Sequence, residues 1–311
     1  MAASPLKKGC PFISLLQPYH RREHLRVFRR HGRRACLLEA LLVTANRGNG
    51  RDDGHACITF HVGCFGFFPT AGFAEEIDGL TKVVAGKPLG KDIATGLSVY
   101  RDPLSNVKAY GMLLASPPLP VREGRYSLRI ELHKGDCGKS TDWDDCYYSN
   151  ERVELTTPEQ NWIKPSSRTK YGWSIYLPGD WNPKDLSQIV MGQFHQAGSH
   201  PAFQFFYQSQ GGGLQVKRRV DETRNSVGTN VRTIIDEKNL RGRWHDIRVE
   251  AYWRKAQDGY FKVFVNDALT YDFRGQTMSA KKVYFKLGVY RIGPPMDAPN
   301  LVVFYDKIWR Q

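Results

Sequence analysis

The sequence predicts an all-β protein, a β-jelly roll or concanavalin-like β-sandwich, and three observations carry that reading. Short alternating or aromatic-rich runs recur from residue 77 onward, turn signals separate them, and no long segment keeps a helical period. Twelve runs qualify as strands: 108–114, 126–133, 151–156, 171–177, 188–195, 202–208, 214–219, 244–253, 260–266, 269–273, 283–291 and 301–309. The breaks between them include Pro117-Pro118, Gly135-Asp136, Pro178-Gly179, Gly211-Gly212-Gly213, Asp258-Gly259, Asn266-Asp267 and Pro294-Pro295. About a dozen short strands joined by polar turns make a sandwich or jelly roll. The stretch 233–241 reads as one helical turn before Gly242.

No linker divides 75–311, so these residues form one domain. Residues 1–74 are a basic extension carrying half of the excess positive charge, +7 of +14. Within it, basic residues precede a short apolar region at about 56–70 and the small-residue run ending at Ala74. That order resembles a secretory signal with cleavage after Ala74. Its internal position is accounted for if translation starts downstream of Met1. The apolar region is too short to span a membrane; the mature chain is expected to be secreted or periplasmic, and separately a monomer. Four of the six cysteines lie in the extension. The other two, Cys137 and Cys146, flank an acidic loop and are expected to form a disulfide. With only moderate basicity in the body and no nucleic-acid motif, the expected partner is an anionic polysaccharide rather than nucleic acid.

The chemistry sits in the alternation. In Tyr284-Phe-Lys-Leu-Gly-Val-Tyr290, the residues Tyr284, Lys286, Gly288 and Tyr290 share one face, with Phe285, Leu287 and Val289 on the other. Gly288 is read as leaving room for a ligand. Gln193 and His195 share a face opposite Phe194, and Arg152 and Glu154 share one opposite Val153 and Leu155. Arg129, Glu131 and His133 share a face too. Each pair alone is an ordinary half-solvated strand with cross-strand ion pairs; together they describe the polar floor of a concave, substrate-binding sheet.

These residue types suit β-elimination on a uronic-acid polymer. A base removes the proton α to the carboxylate, an acid protonates the departing glycosidic oxygen, and donors neutralise the carboxylate. Gln193 supplies an amide donor, Arg152 or Arg129 a guanidinium, His195 a base and Tyr290 a phenol. Lys286 lies beside the phenol to lower its pKa or hold substrate charge. No cofactor is required. A jelly-roll hydrolase would need two carboxylates flanking the scissile bond, and no such strand pair is present. A non-catalytic binding module leaves the Gln/His and Lys/Tyr pairs unexplained.

Arg152-Val-Glu-Leu155, Gln193-Phe-His195 and Tyr284-Phe-Lys-Leu-Gly-Val-Tyr290 are similar, in that order, to three motifs of jelly-roll alginate lyases. The wider setting resembles the heparin lyase I and glucuronan lyase group: Gly242-Arg-Trp-His-Asp-Ile247, Gly259-Tyr-Phe-Lys-Val-Phe-Val-Asn266 and Val303-Phe-Tyr-Asp306-Lys-Ile308. The resemblance, over about 125–309, implies that Gln193 and Arg152 neutralise the carboxylate. It makes Tyr290 the acid and either His195 or Tyr290 the base. Further substrate contacts are assigned to Arg129, Glu154, Lys217, Arg219 and Arg291. Arg291 stands where the alginate motif has asparagine, which favours a glucuronan- or heparin/heparan-like polymer. Members of the group also carry a structural calcium, for which Asp306 and the Trp244 carbonyl are the candidate ligands here.

Overall fold

The computed structural model describes residues 93–183, 188–208, 212–220 and 229–311, with short pieces at 30–31, 34–35, 80–82, 87 and 89–91. The chain divides into two compact units, Met1–Phe73 and Ala74–Gln311. In the first, strands β1 (Arg30–His31) and β2 (Arg34–Ala35) pair antiparallel. The apolar region at 56–70 and the cleavage point after Ala74 lie outside the described residues.

The second unit is a jelly roll of two sheets. In chain order its strands are β3 (Leu80–Lys82), β4 (Ala94–Thr95), β5 (Tyr100–Arg101), β6 (Met112–Ala115), β7 (Ser127–Leu132), β8 (Asn150–Thr156), β9 (Arg168–Tyr176) and β10 (Gln188–Gln196). They continue with β11 (Phe203–Gln208), β12 (Gly213–Arg218), β13 (Thr229–Asp236), β14 (Trp244–Tyr252), β15 (Gly259–Val265), β16 (Ala268–Gly275), β17 (Val283–Ile292) and β18 (Leu301–Arg310). One sheet runs β13-β12-β11-β10-β17-β8-β5; the other runs β16-β15-β14-β9-β18-β7-β6-β3, with β4 parallel to β18. All twelve expected strands form. The short strands β3, β4 and β5 and the longer β13 were not among them; in β13, 233–236 extends a strand and only α1 (Glu237–Leu240) is helical. Tight pairing of β13 with β12 overrides the weak local helical pattern. No helix among the described residues is long and apolar enough to cross a membrane.

The sheets are joined by an aromatic core. Phe203 of the seven-stranded sheet stacks on Phe261 of the other at 3.7 Å, and Phe205 meets Trp173 edge-on at 5.0 Å. Phe285 packs against Trp173 at 5.3 Å and Tyr171 at 5.2 Å. Burying each such side chain is worth about 1.5–3 kcal/mol, so the apolar parity of the strands decides which faces meet.

The outer faces differ. In β14 burial alternates strictly, with Ile247, Val249 and Ala251 inward and Asp246, Arg248 and Glu250 outward in solvated ion pairs. In β8, β10 and β17 alternation is lost because nearly every residue is buried. Their polar side chains bury one another, which is stable only when each finds a partner. A β-bulge between Val190 and Gly192 interrupts the register of β10 with both neighbours. Consequently Val190 packs with Phe206 and Tyr290 on the open face, while Met191 joins the core. The buried Tyr305 hydroxyl of β18 crosses the core to lie 2.9 Å from the Met191 carbonyl and 2.8 Å from that of Gly288.

Candidate active site

The central strands set a polar network on the open face of the seven-stranded sheet. Register places Gln193 opposite Lys286, His195 opposite Tyr284, and Tyr290 opposite both Arg152 and Val190. Glu154 is the hub and is fully buried. Its Oε1 accepts from Gln193 Nε2 at 2.7 Å; its Oε2 accepts from Arg152 Nη1 at 2.9 Å and pairs with Lys286 Nζ at 2.8 Å. Lys286 also pairs with Asp102 at 2.9 Å, and Arg152 grips Asp145 through Nε and Nη2 at 2.7 and 3.0 Å. Burial alone would raise the Asp102 carboxyl, but Lys286 and Arg152 outweigh it and hold the pKa below the usual value.

The network extends sideways through glutamine amides to two cations at its edge. Gln204 Nε2 donates to Gln193 Oε1 at 3.4 Å, and Arg219 Nη1 donates to Gln204 Oε1 at 3.0 Å. Lys217, opposite Gln204 in the ladder, reaches Gln188 Oε1 at 3.3 Å and lies over the Phe206 ring. Gln193 is therefore held from two sides, and one hydrogen of its amide nitrogen is committed to Glu154.

The titrating groups are tuned in opposite senses. His195 Nδ1 lies 2.9 Å from the Gln196 carbonyl, which only accepts, so Nδ1 carries the proton and Nε2 the lone pair. Burial and the nearby Lys286 ammonium lower its pKa to about 3, keeping the half-buried ring neutral. Tyr290 is raised well above the usual phenol value, chiefly by burial, with Arg152 opposing. The Arg152 guanidinium sits 4.0 Å from the centre of its ring. The phenol is thus a protonated group at neutral pH.

Several expected roles change on this geometry. Gly288 does not leave ligand space: its φ is +145°, and a Cβ there would overlap the Val153 carbonyl and the Glu154 Cα of β8. The glycine lets two backbones approach. Lys286 is not the electrostatic neighbour of Tyr290; that place belongs to Arg152, whose charge is already shared by two carboxylates. Glu154 is sealed beneath the face and cannot touch a polymer. Arg129 lies on the other sheet, paired with Glu131 at 2.6 Å, while Glu131 also bonds His133. The ordinary ion-pair reading applies there. Arg291 is fully buried, turned away from the face, with Nε on Glu151 at 2.7 Å and Nη1 on the Pro299 carbonyl at 2.6 Å. The residue that departs from the alginate motif is therefore buried away from the open face.

The proposed calcium ligands do not fit an ion. Asp306 Oδ2 accepts the backbone N–H groups of Arg122 and Glu123, and Oδ1 that of Lys307. Nearby, Asp246 is taken by Arg122 and Glu123 by Lys307. Trp244 pairs with Tyr176 in the ladder. Among the described residues no group of three or more His, Cys, Asp or Glu could hold a metal, whereas Ca²⁺ takes six to eight oxygens.

Asp102, Asp145, Gln204 and Ser105, which donates its hydroxyl to and accepts from the Glu154 backbone, went unrecognised in the sequence. Gln204 was readable, since it alternates with Phe203 and Phe205. Asp145 had a weaker signal, its place inside the cysteine-flanked loop. The Cys137–Cys146 disulfide forms, with Cα atoms 5.1 Å apart. It anchors the loop that delivers Asp145 to Arg152, whose guanidinium lies against the Tyr290 ring. Reducing it is expected to cost about 3 kcal/mol and to lower turnover by loosening Arg152; thermal melting and rate measured with and without a thiol reductant check both effects.

A model of the family described as polysaccharide lyase matches residues 115–309. No curated protein matches the chain. Among solved structures, the endo-β-1,4-glucuronan lyase of the fungus Trichoderma reesei is similar at 16% identity and TM-score 0.47, covering 74% of this chain and 93% of that one. An alginate lyase of polysaccharide lyase family 7 is similar at 15% and 0.44, covering 64% and 81%. An alginate lyase from Pseudomonas aeruginosa is similar at 18% and 0.42, covering 60% and 82%. The family match spans more than half of the chain, including β8, β10 and β17 with their polar network, and the chain belongs to the polysaccharide lyases.

Proposed function

We propose that the enzyme cleaves a uronic-acid-containing polysaccharide, glucuronan- or heparin/heparan-like, by β-elimination at the open face of the seven-stranded sheet. The observation that carries this reading is the pairing of a histidine kept neutral with a phenol kept protonated, on either side of a tethered glutamine amide. His195 Nε2 takes the C5 proton. The electron pair left at C5 forms the C4–C5 double bond as the C4–O bond breaks, and Tyr290 Oη gives its proton to the departing oxygen. Solvent then restores both groups. The free hydrogen of the Gln193 amide and the Arg219 side chain meet the substrate carboxylate, where charge accumulates. The floor beneath cannot serve as a cationic sink, because two cations, Arg152 and Lys286, face three carboxylates there. The raised phenol makes Tyr290 the acid and leaves His195 as the base. The disulfide suits action in an oxidising compartment outside the cytoplasm.

Incubating the full chain with polyglucuronate, alginate, heparin, heparan sulfate and hyaluronan tests this directly. The expected result is new ultraviolet absorbance from the C4–C5 double bond on at least one polymer, with the glucuronan- or heparin-like ones favoured. New reducing ends without that absorbance would show hydrolysis and sink the elimination scheme.

The pH dependence has a definite sign. Since the His195 pKa is depressed, the base stays unprotonated as pH falls through the ordinary histidine value near 6.5. The acid limb of kcat/KM is therefore expected well below pH 6.5. Since the Tyr290 phenol is raised, the alkaline limb is expected above about pH 10. An acid midpoint near 6.5 would show that the His195 pKa is not depressed in the free enzyme, and an acid limb left unchanged by His195→Gln would remove His195 from the base role.

A further inference from the structure

We infer that the cleft beyond the His195 end of the site is a second sugar subsite, which grips an acidic unit of the same polymer at a distance from the scissile bond. The inference rests on the polysaccharide reading above and extends it to residues that the chemistry does not use. A cavity of ≈ 680 Å³ lies there, lined by Trp162, Lys255, Lys281, Lys282 and Glu159 together with the turn after β10. Its size falls among ligand pockets. It does not cover the catalytic floor, but it adjoins it through an unbroken aromatic stack. Trp162 lies against Tyr284 at 4.8 Å, and Tyr284 against His195 at 5.1 Å. A chain lying along β17 past His195 runs onto Trp162.

The lining suits a charged sugar. The Trp162 ring offers the flat apolar surface that a pyranose face covers, and its Nε1 is fixed by donation to the Thr157 carbonyl at 3.0 Å. Lys282 holds Glu159 at 2.6 Å and lies 5.6 Å from the Trp162 ring centre. Lys255 and Lys281 are exposed, so three ammonium groups face one carboxylate and the pocket carries surplus positive charge.

The walls are built rather than incidental. The fully buried Gln196, at the end of β10, accepts at Oε1 from the Ser279 and Ala280 backbone N–H groups at 2.7 and 3.1 Å. Its Nε2 donates to the His200 carbonyl at 3.0 Å. One side chain thereby ties the turn after β10 to the segment carrying Lys281 and Lys282. The same residue's carbonyl fixes the His195 tautomer, so pocket and base share a support.

The test compares wild type with the double variant Lys255→Gln/Lys281→Gln, which touches two exposed side chains outside the reacting groups. On polyglucuronate KM is expected to rise about fivefold. Turnover at saturation should be unchanged, and log KM should depend less steeply on log salt. Repeating the assay on heparin separates the anions: loss on both polymers assigns the pocket to a carboxylate, and loss on heparin alone to a sulfate. Unchanged KM and salt dependence on both would overturn the subsite. Should wild type form no unsaturated product at all, the elimination reading fails by itself. Calorimetric binding of polyglucuronate and heparin then decides the subsite: weaker binding of either by the variant sustains it, and equal binding of both overturns it.

Discussion

Tyr290→Phe is expected to lower kcat by about 10²–10⁴ while polymer affinity stays close to wild type. The substitution deletes one oxygen and keeps the ring, and the ring is what the fold uses. It packs with Val190 and Phe206 and lies under the Arg152 guanidinium. The variant should therefore melt near the wild-type temperature, which separates a chemical loss from a structural one. Steady-state formation of unsaturated product gives kcat, and calorimetry with uncleaved polymer gives affinity. A variant that kept most of its turnover would remove Tyr290 from the proton path and leave the leaving group to water or His195. Loss of binding in step with turnover would instead make the phenol a substrate contact.

Most of the fold was legible because its strands obey one rule, apolar residues on alternate positions, and the core demands that rule throughout. The polar faces were legible only as residue types. Parity placed Gln193, His195, Lys286 and Arg152 on one surface, and the structure puts them there. Parity could not say what each would touch. Of the three carboxylates that neutralise the two floor cations, Glu154 shares a face of β8 with Arg152 and was readable by parity. Asp145 and Asp102 arrive from a loop and from the flank of a short edge strand, at separations no local pattern encodes. For this reason Lys286 and Arg152 looked like substrate cations and are consumed internally instead. Arg291 misled for the converse reason. Its parity is core-facing, and its pairing with Glu151 across the ladder, together with the Pro299 carbonyl, makes burial of the guanidinium tolerable. The bulge at Met191 had one local signal, the glycine at 192 inside the strand, and it went unused.

Glu154→Gln should be the most destabilising single isosteric change in the site, costing about 3 kcal/mol, because it removes the charge on which two buried cations converge. For a domain of this size that corresponds to a fall in Tm of roughly 6–12 °C. The contrast with the opposite sheet decides whether burial is the cause. Glu250 also meets two cations, Lys170 and Arg248, but on a solvated face, so Glu250→Gln should cost less than about 1 kcal/mol. Equal losses from both variants would mean that the hub gains nothing from burial, and the network would be reduced to an ordinary surface. Turnover should respond as well, because Glu154 holds the Gln193 amide and Arg152, which stacks on Tyr290. At a temperature where Glu154→Gln is still folded, kcat is expected to fall while the pH of the alkaline limb shifts. Tyr290 feels both the carboxylate, which raises its pKa, and the guanidinium that the carboxylate positions, which lowers it. A folded Glu154→Gln enzyme with wild-type kcat and an unmoved alkaline limb would separate the network from the chemistry and leave Glu154 a purely structural group.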